Sequence, residues 1–284
     1  MKKEKRGLEA FRQQQLLRCP ICAGNGQWND NGSFICQNNH CFDLAAKGYL
    51  NCLTNSGQRK TLYDKELFAA RSRIFDAGFY QPVLDAVCQQ AAAYRQEAGR
   101  GLVIADVGCG EGYYAAALAA QGHNVFALDT AKEAIQMACN RSSQVKWLVA
   151  NLAAVPLQDG CTDMVLDLLT PANYQEFRRL LKPGGVVLKL IPGAAYLQEI
   201  RSSLAQQLAR PVYDHRDTVS AFQQKLHQTA AIPICYTRPV SRQQAADFYR
   251  MTPMTFHHQN EEPPQDWFTE ITIDLLLLVG VKRG

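Results

Sequence analysis

From residue 102 onward, short apolar runs alternate with amphipathic stretches. Residues 102–107, 125–129, 145–149, 164–169 and 186–191 are five or six residues long and rich in Val, Leu and Ile. Runs of that length with little polar alternation predict strands buried on both faces. The stretches after residue 112 to about 120, and from about 132 to 140, repeat apolar residues at helical spacing. Strands alternating with helices in this way predict a parallel sheet covered on both faces, a doubly wound α/β domain. Residues 232–236 and 271–281 add two more predicted strands, the last of them antiparallel. Upstream, residues 66–98 read as helical, with breaks at Gly78 and Pro82.

The first 65 residues follow a different pattern. Residues 1–17 are charged and Gln-rich and read as a frayed or helical extension. Residues 18–53 are dense in Cys, Gly and Asn, too short and polar for an ordinary core, and residues 54–65 read as a linker. The division predicted is an extension (1–17), a Cys-rich head (18–53), a linker with a helical segment (54–98) and the α/β domain (99–284).

Five of the ten cysteines lie within residues 19–52. In a reducing compartment such clustering points to a metal rather than to disulfides. Cys19 and Cys22 form one CxxC pair, and Cys36 with His40 forms a CxxxH pair after thirteen intervening residues. Turn chemistry at 29–32, between Trp28 and Phe34, predicts a hairpin that brings the pairs together around one tetrahedral zinc ion. Cys41 competes with His40 for the fourth place. Four protein ligands leave no open position, so the zinc is structural. The other five cysteines (88, 109, 139, 161 and 235) read as small buried residues.

Composition narrows the picture. A chain of 284 residues that is 47% hydrophobic can bury a large core, and a net charge of +4 permits a nucleic-acid partner without requiring one. No run reaches 18 apolar residues, so no membrane span is expected. Nor does an apolar stretch follow the basic start, so a cytoplasmic location is expected.

The chemistry sits where the first strand of the α/β domain gives way to a helix. Asp106 ends the strand, and Gly108, Gly110 and Gly112 follow in GxGxG spacing, with Glu111 between the last two and Tyr113 next. Asp129 ends the second strand 23 positions after Asp106, where a carboxylate would hold ribose hydroxyls. This combination resembles the class I S-adenosylmethionine-dependent methyltransferases. Residues 150–152 resemble the segment beside the adenine, residues 156–163 the LPFxDxSFD segment, and residues 181–185 the LKPGG turn.

A narrower resemblance adds the CPxC and CxxxH pairs, residues 42–51, the DAGFYQP segment at 76–82 and Met251-Thr252-Pro253. Together these resemble the bacterial 23S ribosomal RNA guanine-N1 methyltransferase family (RlmA, also called RrmA), from about residue 18 to the end. The resemblance implies a Rossmann-like domain behind a zinc-ribbon-like head, frequent homodimers and a guanine in a hairpin of large-subunit domain II as substrate. It implies zinc on Cys19, Cys22, Cys36 and His40. It implies cofactor contacts from Tyr80, Asp106, Gly108, Gly110, Glu111, Gly112, Tyr113, Asp129, Thr130, Asn151, Leu152 and Tyr196. Phe79 and Tyr196 stand where relatives can carry His, and residues 168–173 replace a pattern closer to IYAPC.

Loss of the guanine N1 proton calls for a base. Asp167, near the end of the fourth strand, is the candidate. Arg59 and Lys60 in the linker and Arg71 and Arg73 on the following helix read as RNA contacts, and Arg178 and Arg179 as an exposed helix face. Two other readings remain: a methyltransferase for another RNA or a small molecule, and a non-enzymatic RNA-binding protein.

Overall fold

The computed structural model describes residues 3–12, 15–53, 64–204, 214–255 and 268–282. The chain opens with α1 (Lys3–Arg12) and four short strands, β1 (Gly26–Trp28), β2 (Ser33–Cys36), β3 (Cys41–Asp43) and β4 (Tyr49–Asn51). Two helices follow, α2 (Lys65–Asp76) and α3 (Gln81–Ala98), and then β5 (Val103–Val107), α4 (Tyr113–Ala120), β6 (Asn124–Asp129) and α5 (Lys132–Ala138). Next come β7 (Lys146–Val149), β8 (Thr162–Leu168), α6 (Tyr174–Leu180), β9 (Leu181–Pro192) and α7 (Gln198–Ser203). The described chain finishes with α8 (Arg216–Lys225), β10 (His227–Pro239), α9 (Arg242–Met251), a 3-10 turn (Pro253–Thr255) and β11 (Glu270–Val281).

The predicted break in the early helical region falls at the expected residues. Asp64 caps α2 by accepting from the Leu67 N–H at 2.8 Å, Gly78 turns the chain at φ +75°, and Pro82 occupies the first turn of α3, where its missing N–H costs nothing.

The large sheet has eight strands in the order β10-β11-β9-β8-β5-β6-β7-β4. Strands β4 to β9 within it pair in parallel, whereas β11 pairs antiparallel with both β9 and β10. Its side chains alternate between two cores, as a pleat of period two requires. Ile104, Ala127 and Leu188 join α3, α4 and α9 on one face. Val103, Ala105, Phe126 and Leu148 join α6 and α8 on the other.

The head belongs to that second core. Phe11, Phe34, Phe42, Leu44 and Leu50 pack in one cluster with Phe126 and Leu148, so the Cys-rich segment takes the place a helix would fill over β6 and β7. Strand β4 extends the sheet beside β7, and the Cys52 N–H donates to Val149 O at 2.8 Å. A second seam joins residues 16–18 to 156–158 through a Leu17–Leu157 bridge and bonds from Arg18 N to Pro156 O (3.2 Å) and Gln158 N to Leu16 O (2.9 Å). Of the two readings of the extension, the helical one holds over α1, which is tied down by Phe11, whose ring lies 5.4 Å from that of Trp28, and Leu17 beyond it is buried.

Two surface readings need correction. Arg179 is not on an exposed helix face: it donates to Val155 O and Leu157 O and bridges Glu176 and Asp159, fixing the loop that meets the head. Cys235 is exposed on the outer strand β10, while Cys139 and Cys161 are buried as expected.

Candidate active site and metal centre

In the head, β1 and β2 form the predicted hairpin: Asn29 Oδ1 accepts from Ser33 N at 2.9 Å, and β3 adds a third antiparallel strand. Each metal knuckle is closed by a residue in the left-handed region, Ala23 (φ +56°) and Asn39 (φ +60°). Asparagine tolerates that conformation through its short polar side chain, whereas alanine is strained there. Ala23 is exposed, so Ala23→Gly is expected to stabilise the protein by about 0.5–1 kcal/mol in denaturant titration. An unchanged or lower midpoint would show that the knuckle carries no strain.

The ligand atoms of Cys19, Cys22, Cys36 and His40 lie within 4.8 Å of one another. Cys22 and Cys36 sulfurs are 3.7 Å apart, and His40 Nδ1 is 3.5 Å from Cys19 Sγ and 3.4 Å from Cys36 Sγ. Zinc–sulfur bonds of about 2.3 Å set tetrahedron edges of about 3.8 Å between sulfurs and about 3.5 Å from sulfur to nitrogen. The four groups thus fit a structural zinc ion bound through Nδ1. The Cys22 thiol is pushed down to about 6, first by the Gly24 backbone N–H, which favours the thiolate a metal needs. Cys41 points elsewhere, its exposed thiol donating to Asp43 Oδ1.

The second site lies at the carboxyl ends of β5, β6 and β7, where open α/β sheets bind ligands. The loop from Gly108 to Gly112 needs its glycines for two reasons. Gly108 (φ +85°) lies under the Thr170 side chain, and Gly112 (φ +80°) lies against the Trp147 ring and Ala138; a Cβ at either would collide. At Gly110 a Cβ would meet only Arg71, 3.3 Å away, so that glycine's surroundings are the more open. The carboxylate of Asp129 accepts from Gly110 N and Ala131 N, both at 2.9 Å. Thr130 and Asn151 are exposed just beyond β6 and β7, with Leu152 half-buried beside Asn151.

Buried acid dominates this end of the sheet. Asp106 and Glu111 are 2% and 1% exposed, and among the described residues Asp106 Oδ2 and Glu111 Oε2 have no hydrogen-bond partner. Burial pushes the Asp106 carboxyl up to about 8, and the charges of Asp129, Glu111 and Asp167 add to the effect. Burial also raises Glu111 and Asp129, against Arg71 in the first case and the two backbone N–H groups in the second. Orphaned buried carboxylates beside an open glycine loop fit a cationic ligand, and S-adenosylmethionine, with its sulfonium and ammonium groups, is one.

Aromatic rings close the opposite side. Tyr113 stacks on Phe75 at 4.6 Å, and Phe75 meets Tyr80 edge-on. The Tyr80 and Tyr196 hydroxyls share a 2.6 Å hydrogen bond, and burial raises both phenols, so they stay protonated. Tyr196 sits in the turn after β9, which Asp274 latches by accepting from Ala195 N at 2.8 Å.

Asp167 is fully buried rather than open to a substrate, and Lys189 Nζ donates to its Oδ2 at 2.6 Å. The same ammonium donates to Thr170 O at 3.2 Å. Burial raises Asp167 to about 6 even against that ammonium. Lys189 was missed in the sequence, although a lysine inside the apolar run 186–191 was its signal. Arg73 is committed to Asp247 by a bidentate pair, while Arg71 reaches Glu111 at 3.9 Å and so faces the glycine loop. Arg59 and Lys60 lie outside the described residues.

The sheet order, the glycine loop with its two strand-ending acids and the four-ligand knuckle pair define an S-adenosylmethionine-dependent methyltransferase with an N-terminal zinc ribbon. Comparison with known proteins refines this. The family model described as "RlmA, N-terminal" matches residues 17–59, and that described as "Methyltransferase domain" matches residues 104–185. YxjB of Bacillus subtilis (strain 168), provisionally named a 23S rRNA (guanine-N(1)-)-methyltransferase, is 31% identical over 94% of this chain and 97% of its own. The 23S rRNA (guanine(748)-N(1))-methyltransferase of Streptomyces fradiae is 31% identical over 72% of this chain and 71% of its own. The malonyl-[acyl-carrier protein] O-methyltransferase of Serratia marcescens matches at 30% over only 41% of this chain and 52% of its own. The chain belongs to the 23S rRNA (guanine-N1)-methyltransferase family.

Proposed function

We propose that this chain methylates N1 of a guanine in 23S rRNA. The observation that carries the reading is the relative matched over 94% of the chain, head included; the methyltransferase for another substrate class matches over less than half. S-adenosylmethionine, when bound, supplies an electrophilic methyl group. The residues proposed to hold it are Asp106, the Gly108–Gly112 loop with Glu111, Tyr113, Asp129, Thr130, Asn151, Leu152, Tyr80 and Tyr196. Placing donor and guanine in one dry cleft accounts for much of such a rate gain. The protonated Tyr80–Tyr196 pair orients by donating hydrogen bonds and does not act as base. Asp167 is proposed as a positioning residue: its ion pair sets Lys189, which holds the Thr170 carbonyl and with it the side chain above Gly108. The same reading takes a domain II hairpin as the RNA element, two copies of the chain per assembly and a cytoplasmic location. Among the described residues no helix is long and apolar enough to cross a membrane.

The test is nucleoside mass spectrometry of 23S rRNA from a strain lacking the gene, before and after incubation with the protein and S-adenosylmethionine. N1-methylguanosine should appear in the 23S fraction. If it does not, while the cofactor binds, the substrate assignment is wrong.

A further inference from the structure

A polar cleft flanks the free edge of β1, away from the glycine loop. It comprises two adjoining cavities, of about 690 Å³ and about 440 Å³, and Gln15, Gly26, Gln27 and Trp28 line both. Both volumes fall in the range of small-ligand sites, ~300–1,000 Å³. Among the described residues, no charged side chain lines the larger cavity. Six amide side chains do: Gln15, Asn25, Gln27, Asn29, Gln37 and Gln158.

Three of these amides are uncommitted. Asn29 is used by the hairpin turn, and Asn25 and Gln158 approach each other at 3.5 Å. Gln15, Gln27 and Gln37 make no side-chain hydrogen bond among the described residues, and all three are exposed. The strand edge adds backbone groups. Asn25 O accepts from Gln37 N and Asn29 N donates to Ser33 O, so alternation turns the peptide groups of Gly26 and Trp28 away from β2. Beside them the Trp28 indole, half-buried against Phe11 and Phe34, offers an aromatic face. Arg12, exposed, lines the smaller cavity, where it donates to Asn29 O at 2.6 Å and lies 3.7 Å from the exposed Asp30 carboxylate.

Neutral amides carry a donor and an acceptor side by side, which matches the edge of a nucleobase and is poorly suited to a phosphate. Unpaired RNA bases are read in this way, by stacking on an aromatic ring and by hydrogen bonds to the base edge. We propose that this cleft binds an unpaired base of the substrate RNA, at a position other than the methylated guanine. Arg12 meets the adjoining phosphate. Gln37 adjoins the metal ligand Cys36 and Gln158 comes from the loop between β7 and β8, so one bound base spans the seam between head and sheet. The inference rests on the 23S rRNA reading above.

The test is a triple substitution, Gln15→Ala, Gln27→Ala and Gln37→Ala, with Arg12→Ala made separately. The probe is an unmodified transcript of 23S rRNA domain II. The triple variant should keep its melting temperature, zinc content and S-adenosylmethionine affinity, because these amides make no side-chain hydrogen bond among the described residues. Its Kd for the transcript should rise by about tenfold, with KM for RNA following and kcat unchanged. The salt dependence of binding separates base from phosphate contacts. The triple variant should keep the wild-type slope, whereas Arg12→Ala should lower it by about one unit. An unchanged Kd in the triple variant overturns the proposal, and is also what a cleft for a protein partner would give. A reduced salt slope in the triple variant overturns it too. If the wild-type protein neither binds nor methylates the transcript, the 23S rRNA reading fails first, and that result is distinct from both.

Discussion

Cys36→Ser is expected to abolish stoichiometric zinc binding and unfold the head, whereas Cys41→Ser leaves both intact. The three strands of the head hold three, four and three residues. A sheet that small does not stand without a staple. Structural zinc sites contribute on the order of 10 kcal/mol or more to the folding of such units. The loss is not confined to the head, because Phe42, Leu44 and Leu50 share a core with Phe126 and Leu148, and β4 covers the edge of β7. Even ~4 kcal/mol transmitted to the main domain would lower Tm by about 8–16 °C. Metal analysis and thermal unfolding of both variants, and of wild type treated with a chelator, make the check. Full zinc content in Cys36→Ser, or loss of zinc in Cys41→Ser, would show that the ligand set is wrong.

Asp106→Asn should stabilise the cofactor-free protein near neutral pH while weakening S-adenosylmethionine binding by roughly 10- to 100-fold. Burial holds the folded-state pKa of Asp106 at about 8, well above an unfolded value of about 3.9. The stability this proton gives is complete below about pH 4 and is lost as pH climbs through about 8. Wild-type stability without cofactor should therefore decline across that interval, and the Asn variant, which never has to ionise, should decline less. A cationic ligand reverses the preference. Its binding favours the carboxylate, so at pH 7 complex formation should release close to one proton, and affinity should increase with pH up to about 8. Calorimetric titration in buffers of different ionisation enthalpy measures that proton directly. No release, or an Asn variant with wild-type affinity, would remove Asp106 from the cofactor site.

Stability and function are opposed at this residue for one reason. Asp106, Glu111, Asp129 and Asp167 crowd acidic groups into a buried region, and among the described residues one oxygen each of Asp106, Glu111 and Asp167 has no hydrogen-bond partner. Such an arrangement costs folding energy that a bound cation offsets.

Local rules were enough for much of this protein. Apolar runs with β-branched residues predicted the strands, because a strand buried on both faces admits little else. Glycines at 108, 110 and 112 predicted the loop, because its backbone turns left-handed under close neighbours. The spacing of Cys19, Cys22, Cys36 and His40 marked a knuckle pair, because a tetrahedral ion accepts few spacings. Contacts distant in sequence lay beyond those rules. Nothing local indicated that the head would replace a helix over β6 and β7 or that Arg179 would turn inward to hold residues 155–159, and the apolar run around Lys189 marked its burial without naming Asp167 as its partner. Each depends on a partner from another element, and its energy exists only once both are desolvated together. Residue order alone therefore specified the main strands and the first helices between them, the ligand types and the family, but not β4 or the helices from α6 to α9. Long-range packing settled which charges are buried, which amides are left free, and where the head rests on the sheet.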